Sequence, residues 1–271
     1  MIPIDYQHFN SFNLTDPKTG KTKNLTDDYG GIIINISDEV YERECMPSID
    51  FITDKNDMLD GELFIKAKYQ VREISMTCLF SEENGGADLF ELKRWLGKKY
   101  QQLFEWDNDD EMKGIYTICS GNFKTQAYYG KKFYGKIDLK FIAHDPYYFN
   151  MKDRKITYTN LTIGTDYVVR CKGNSDSLPL IKIVAGSPSI TLKWNDLNIV
   201  LNNLTNNPIY LDSENNNAYE IVNGFKNLAT YKYTSTEFMD FPEIMCEGRN
   251  SLKLLSGIVS SIEISPNTKI I

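Results

Sequence analysis

The chain has 271 residues, 41% of them apolar and 25% charged, with a net charge of −7. These values exclude a collagen-like or low-complexity chain and describe a globular protein of one large domain or two of ordinary size. The negative excess lies in residues 1–150, with 18 Lys+Arg against 25 Asp+Glu, while residues 151–271 carry 12 of each. An acidic chain without a basic stripe is a poor grip for nucleic acid, because phosphate neutralisation supplies most of that affinity. A negative surface does suit a path that DNA must slide past.

The opening "MIPIDYQHFNSFNL" has no basic start and no apolar core, so no signal peptide is expected and the protein should stay in the cytosol where it is made. No apolar run is long enough to span a bilayer. "YGGIIINIS" (Tyr29–Ser37) reads as a strand led by Gly30-Gly31. "FIKAKYQVREISMTCLF" (Phe64–Phe80) reads as one long alternating strand, with Val71, Ile74, Met76, Cys78 and Phe80 set against Arg72, Glu73, Ser75 and Thr77. In "GGADLFELKRWLGKKYQ", Asp88 and Glu91 have capping-box spacing. Leu89, Leu92, Leu96 and Tyr100, with Phe90 and Trp95, form an apolar face, so a helix of about three turns is predicted. "QLFEW" and "IYTICSGNF" read as strands joined by an acidic turn, and "KFYGKIDLKFIAH" as a further strand stopped by Asp145-Pro146.

Residues 151–271 show no helical pattern. Short apolar runs ("RKITYT", "DYVVRC", "LPLIKIVA", "SITLKW", "LNIVLNN", "NPIYLDS", "AYEIVNG", "SLKLLSG", "SSIEISP") are separated by Asn, Gly, Ser and Pro. That is the pattern of an antiparallel β-sandwich. The predicted fold is mostly β, in two domains: residues 1–150, α+β with one helix, and residues 151–271, a sandwich.

Little local chemistry is present. His144-Asp145 is the one His–acid pair, but no G-x-S-x-G elbow supplies a nucleophile, and neighbours on a strand point to opposite faces. An EF-hand loop begun at Asp107 fails, since Met112 and Ile118 stand where Gly and Glu are needed. Cys45, Cys78, Cys119, Cys171 and Cys246 make no C-x-x-C pair and read as free thiols within strands. Five N-x-[ST] sequons, at Asn13, Asn24, Asn35, Asn160 and Asn203, follow from an Asn-rich composition. Trp194 and Tyr210 are the aromatics considered for stacking on sugar, against a place in the core. No residue is assigned to catalysis, to a cofactor or to a metal; the binding residues are not named by the sequence, and an enzyme is not expected.

The ordered set of motifs resembles the distal tail protein (Dit) family of siphophages. In the first half it comprises the Gly-led strand (Gly30–Ser37), the long alternating strand (Phe64–Phe80), the "LKRWL" helix, "LFEWDND" and "DPYYF". In the second it comprises "GNSDSLPLIKIVAG", "YLDSENNNAY" and "FPEIMCEGRN", where Phe241-Pro242, Gly248 and Asn250 hold the family's places and Ile244 stands where Leu is usual. Residues 38–62 match only loosely the family, which often has an Arg and a polar belt loop there. The resemblance implies a structural virion protein of the tail, located in the baseplate hub. Residues 1–150 would form a homo-hexameric ring continuing the tail tube, with DNA passing through its lumen. Residues 151–271 would be a galectin-like platform for receptor-binding and baseplate proteins, next to the tail tube and tip proteins. The alternative expectation is a sandwich module that itself binds cell-wall glycan. A third, a hydrolase, requires two convergent carboxylates in a pocket.

Overall fold

The structure, a computed structural model, describes residues 11–34, 46–55, 62–81, 86–107, 113–121, 128–129, 132–236 and 240–271. It divides into two compact units, one ending at Met151 and one running from Lys152 to Ile270. No described helix is long and apolar enough to cross a membrane.

The first unit opens with β1 (Phe12–Thr15), β2 (Thr22–Asn24), α1 (Leu25–Tyr29), β3 (Gly31–Ile34), β4 (Ile49–Lys55), β5 (Glu62–Tyr69) and β6 (Arg72–Phe80). It continues through β7 (Ala87–Asp88), α2 (Leu89–Leu96), β8 (Gln102–Trp106), β9 (Lys113–Cys119), β10 (Tyr128–Tyr129), β11 (Lys132–Phe133), β12 (Gly135–Ala143) and β13 (Tyr148–Asn150). The main sheet has the order β2-β1-β8-β9-β12-β6-β3, with β13 also beside β9. β10, β11 and β7 form a small sheet, and β4 and β5 form a hairpin of their own.

The core of this unit is aromatic. The Phe12 ring stacks on Trp95 (5.5 Å) and Phe104 (5.1 Å) and meets Phe141 edge-on (5.3 Å). Such ring pairs add to area burial through their quadrupoles. Trp95 reaches the core from α2, where Leu92 and Leu96 are also buried. The Asp88 carboxylate caps α2 by accepting from the Phe90 and Glu91 amides. The helix is two turns rather than three, because Gly97 ends it and its amide bonds the Lys93 carbonyl. Tyr100 therefore lies beyond it, with its hydroxyl donating to Asp16. Phe90, predicted on the apolar face, is exposed instead.

Two further expectations are corrected. The stretch 64–80 is not one strand: it breaks at Gln70-Val71, and its halves join different sheets. Period two then explains the side chains of β6. Ile74, Met76, Cys78 and Phe80 point inward, and Arg72 shares their phase, so Arg72 is buried while Val71 is exposed. Thr77 is buried too and donates to Asp138 at 2.6 Å. In Tyr29–Ser37, Tyr29 ends the short helix α1 and only Gly31–Ile34 is described as strand; residues 35–37 lie outside the described residues. Asn24 caps α1 through Thr26 N–H (2.8 Å) and Asp27 N–H (3.0 Å), and Gly30, at φ 65°, ends it.

The second unit has β14 (Ile156–Thr159), β15 (Asp166–Val169), β16 (Leu180–Ala185), β17 (Ile190–Trp194), β18 (Leu197–Leu201), β19 (Ile209–Asp212) and β20 (Asn217–Val222). These are followed by β21 (Phe225–Leu228), β22 (Tyr233–Ser235), β23 (Asn250–Ser256), β24 (Val259–Ser265) and β25 (Lys269–Ile270). Two antiparallel sheets, β14-β24-β16-β19-β20-β21 and β15-β23-β17-β18-β22, enclose one core. All nine predicted runs form strands. Asparagine makes the turns: every described non-glycine residue with positive φ is Asn, at 160, 195, 203, 216, 223 and 267. Asn223-Gly224 closes the β20–β21 hairpin with both φ values positive, as a two-residue turn matched to strand twist requires.

Candidate assembly surface

Among the described strands, β4 and β5 pair only with each other, as a hairpin. Its ladder runs from Ile49↔Tyr69 to Ile52↔Lys66, shifts by one residue at Ile65, and resumes at Thr53↔Phe64. Before the bulge, Ile49 and Phe51 share a face with Ala67 and Tyr69; the shift brings Phe64 onto that face. The Phe51 and Phe64 rings lie 6.4 Å apart, and both are mostly exposed, at 63% and 59%. The opposite face carries charge, including Asp50 and Lys68 at 3.9 Å. An isolated two-stranded hairpin is marginal in water unless something covers its apolar side. At its base, Gln70 N–H donates to the Ser48 carbonyl (2.8 Å), and Tyr69 meets Tyr147 edge-on at 6.0 Å.

His144 is exposed, and the Asp145 carboxylate accepts from the Tyr147 amide at 3.4 Å, a turn-forming role. After Pro146 the chain resumes as β13, so the proline interrupts the sheet rather than ending it. The three following aromatics pack on this unit's own strands. Tyr147 meets Tyr69, Tyr148 lies under the Arg72 guanidinium (4.7 Å), and Phe149 meets Tyr116 (5.8 Å). Residues 108–112 of the acidic turn lie outside the described residues. Among the described residues, no three His, Cys, Asp or Glu side chains gather as a metal site would need.

Cys78 is buried, and Cys119, Cys171 and Cys246 are half-buried free thiols; Cys45 lies outside the described residues. Burial pushes the Cys78 and Cys119 thiols up, away from the reactive thiolate. Trp194 is core, with its indole N–H donating to the Glu243 carbonyl at 2.8 Å. Tyr210 is half-buried and stacks on Tyr219 at 5.0 Å, and Lys226 lies over the Tyr219 ring at 3.8 Å. Tyr219 is thus engaged within the chain by both Tyr210 and Lys226.

The motif residues organise backbone. Asn24 also accepts from Ser11 Oγ and donates to Asn13 and to Asp107, the aspartate of "LFEWD", so this sequon asparagine is a buried network centre. In "FPEIMCEGRN", Phe241 stacks on Tyr233 at 4.3 Å. The Tyr233 hydroxyl donates to the Asp240 carbonyl, and burial pushes its pKa up to about 12. Gly248, at φ 101°, turns the loop. Asn250, fully buried, accepts from Met245 N–H (2.8 Å) and donates back to the Met245 carbonyl (2.9 Å).

An aromatic-cored β unit with a short helix, followed by a two-sheet sandwich, is a fold also found in a solved phage tail protein. The crystal structure of the SPP1 Dit protein (gp 19.1), described as a paradigm of the hub adsorption apparatus in phages infecting Gram-positive bacteria, shares this fold. Its TM-score is 0.64 at 13% identity, over 96% of this chain and 99% of that one. The phage P2 baseplate in its activated conformation, with Ca and with Sr, is similar at TM-score 0.48 and 10% identity, over 94% of this chain and 97% of that chain. No protein-family model and no curated protein matches the chain.

The hairpin's apolar face is not evident from the sequence. Its signal is Ile49 and Phe51 two residues apart, facing Tyr69 and Ala67 across the ladder with Phe64 beside them, and it is hidden when residues 64–80 are read as a single strand.

Proposed function

We propose that this chain is the distal hub of a phage tail, a structural protein whose first unit closes into a homo-hexameric ring between tail tube and tip. The observation that carries the reading is the bare apolar face of the β4–β5 hairpin, on a chain whose fold matches that of a tail hub over nearly its full length. Chain-to-chain packing would cover Phe51 and Phe64. A head-to-tail contact of this kind, repeated with rotation, generates a ring. The acidity of residues 1–150 suits a lumen through which DNA passes without sticking. The second unit is a galectin-like platform for receptor-binding and baseplate proteins, and the chain works in the virion tail without catalysis. Mass photometry and negative-stain imaging of the purified chain test this. Six copies of 31.2 kDa, about 187 kDa in all, with six-fold views are expected. A folded chain that stays monomeric at every attainable concentration sinks the ring.

A further inference from the structure

We infer that the outer face of the five-stranded sheet carries a binding site for a phosphate group borne on a polyol or saccharide. A cavity of about 300 Å3 opens there, at the small end of ligand sites. Lys193 on β17 and Lys253 on β23 lie directly opposite each other across the strand pair. Two like charges so placed repel, and sheets normally avoid the arrangement. Each has a carboxylate partner: Asp166 is 3.1 Å from Lys253, and Asp196 is 3.7 Å from Lys193. Asp196 sits fully exposed on the β17–β18 turn, where an ion pair contributes little. Arg249 completes the cavity, and no described carboxylate lies within ion-pair distance of it. The site therefore holds three cations against two anions, of which Asp166 pairs closely with Lys253 and Asp196 only loosely with Lys193. A guanidinium and two ammonium groups suit the oxygens of a phosphate.

The surroundings are built rather than accidental. Arg249 is placed by the loop that Asn250 clamps to Met245 and that Gly248 turns. Asn195 ties the facing turn to the same framework, accepting from Ser251 N–H at 2.8 Å and donating to Asn250 at 3.3 Å. The "WND" and "EGRN" segments thus form the two walls of one cavity. The lining contains hydroxyl and amide groups, from Ser251 and Asn195, but no aromatic ring. A neutral sugar lacks its usual stacking surface here, whereas a phosphate-bearing polyol finds charge and the Ser251 hydroxyl, the Asn195 amide being engaged with Ser251 N–H and Asn250.

The test is titration calorimetry on the full chain at fixed ionic strength, with sn-glycerol 3-phosphate, inorganic phosphate, glycerol and a polyglycerol phosphate as probes. Glycerol 3-phosphate should bind more tightly than inorganic phosphate, and glycerol should not bind. Arg249→Gln and Lys253→Gln should each weaken the ester about tenfold or more, the size of a lost charge-assisted hydrogen bond. Asp166→Asn should strengthen it by removing the competing carboxylate, an effect that a merely structural role would not produce. Tighter binding of the polymer assigns the site to a phosphodiester chain; tighter binding of the monomer assigns it to a small ester. Equal affinity for inorganic phosphate and ester, affinity unchanged in both cation variants, or no binding of any phosphate overturns the inference. None of these outcomes bears on ring assembly.

Discussion

Replacing Phe51 and Phe64 with serine should separate the proposed assembly from folding. A phenylalanine side chain offers roughly 200 Å2 for burial, and about three-fifths of each ring is open in the single chain. Covering that remainder removes on the order of 120 Å2 of apolar surface per ring, about 3 kcal/mol at 25 cal/mol per Å2. Interfaces realise less than area predicts, because ordering and imperfect desolvation offset part of the gain, so ~2 kcal/mol per ring is the working figure. That is about thirtyfold in association constant for one variant and near a thousandfold for both together. Since both rings face solvent in the monomer, the melting temperature of the unassembled chain should move little. Sedimentation velocity over a concentration series reads the first effect, and thermal unfolding of the dilute chain reads the second. A double variant that assembles as well as the parent refutes the reasoning. So does one that fails to fold, which would show that the rings support the unit itself.

The Lys232–Glu220 pair, 2.7 Å apart and buried, gives a second test. Lys232→Ala should cost about 3–5 kcal/mol in urea unfolding, because it leaves the buried Glu220 side chain without its partner, whereas Lys232→Met with Glu220→Leu should be nearly neutral. Asn250→Ala should cost ~2–3 kcal/mol by stranding both Met245 backbone groups, checked by the same method. Burial works to raise the Asp16 carboxyl, but the Lys18 amide, the Tyr100 hydroxyl and Lys98 outweigh it and hold the group below the ordinary aspartate value. A depressed folded pKa means that the unfolded chain binds the proton first. The stabilisation is complete above the ordinary value of 3.8 and is lost as pH falls through the folded one. Asp16→Asn should therefore flatten the acid limb of a stability-against-pH curve. His144→Ala should leave stability within about 0.5 kcal/mol and assembly intact, as an exposed side chain outside any site must.

What was legible in the sequence is what one physical rule decides by itself. Most sandwich strands alternate because one face lies on the core, and their asparagines fall where the backbone needs positive φ. The α2 cap was legible because Asp88 acts within three residues. β21 was not, because all four of its residues are exposed and no alternation marks it. Short α1 escaped for a related reason. Its cap, Asn24, sits in a network with Ser11, Asn13 and Asp107 that only the fold assembles.

Arg72 shows where pattern reading goes wrong. Charge argues for the solvent face, whereas strand phase sets it beside Ile74 and Met76, and phase prevailed because the Tyr148 ring lies against its guanidinium. The same competition explains "KFIAHDPYYFN". As a local pattern, His144-Asp145 looked like chemistry. In the fold, Asp145 shapes a turn whose outcome is to lay Tyr147, Tyr148 and Phe149 across β5, β6 and β9 in succession. Tyr147 meets Tyr69 at the base of the β4–β5 hairpin. The segment that resembled an active site is therefore tied to the surface on which assembly is proposed to depend. Loosening Tyr147 should disturb the hairpin's presentation where altering His144 does not.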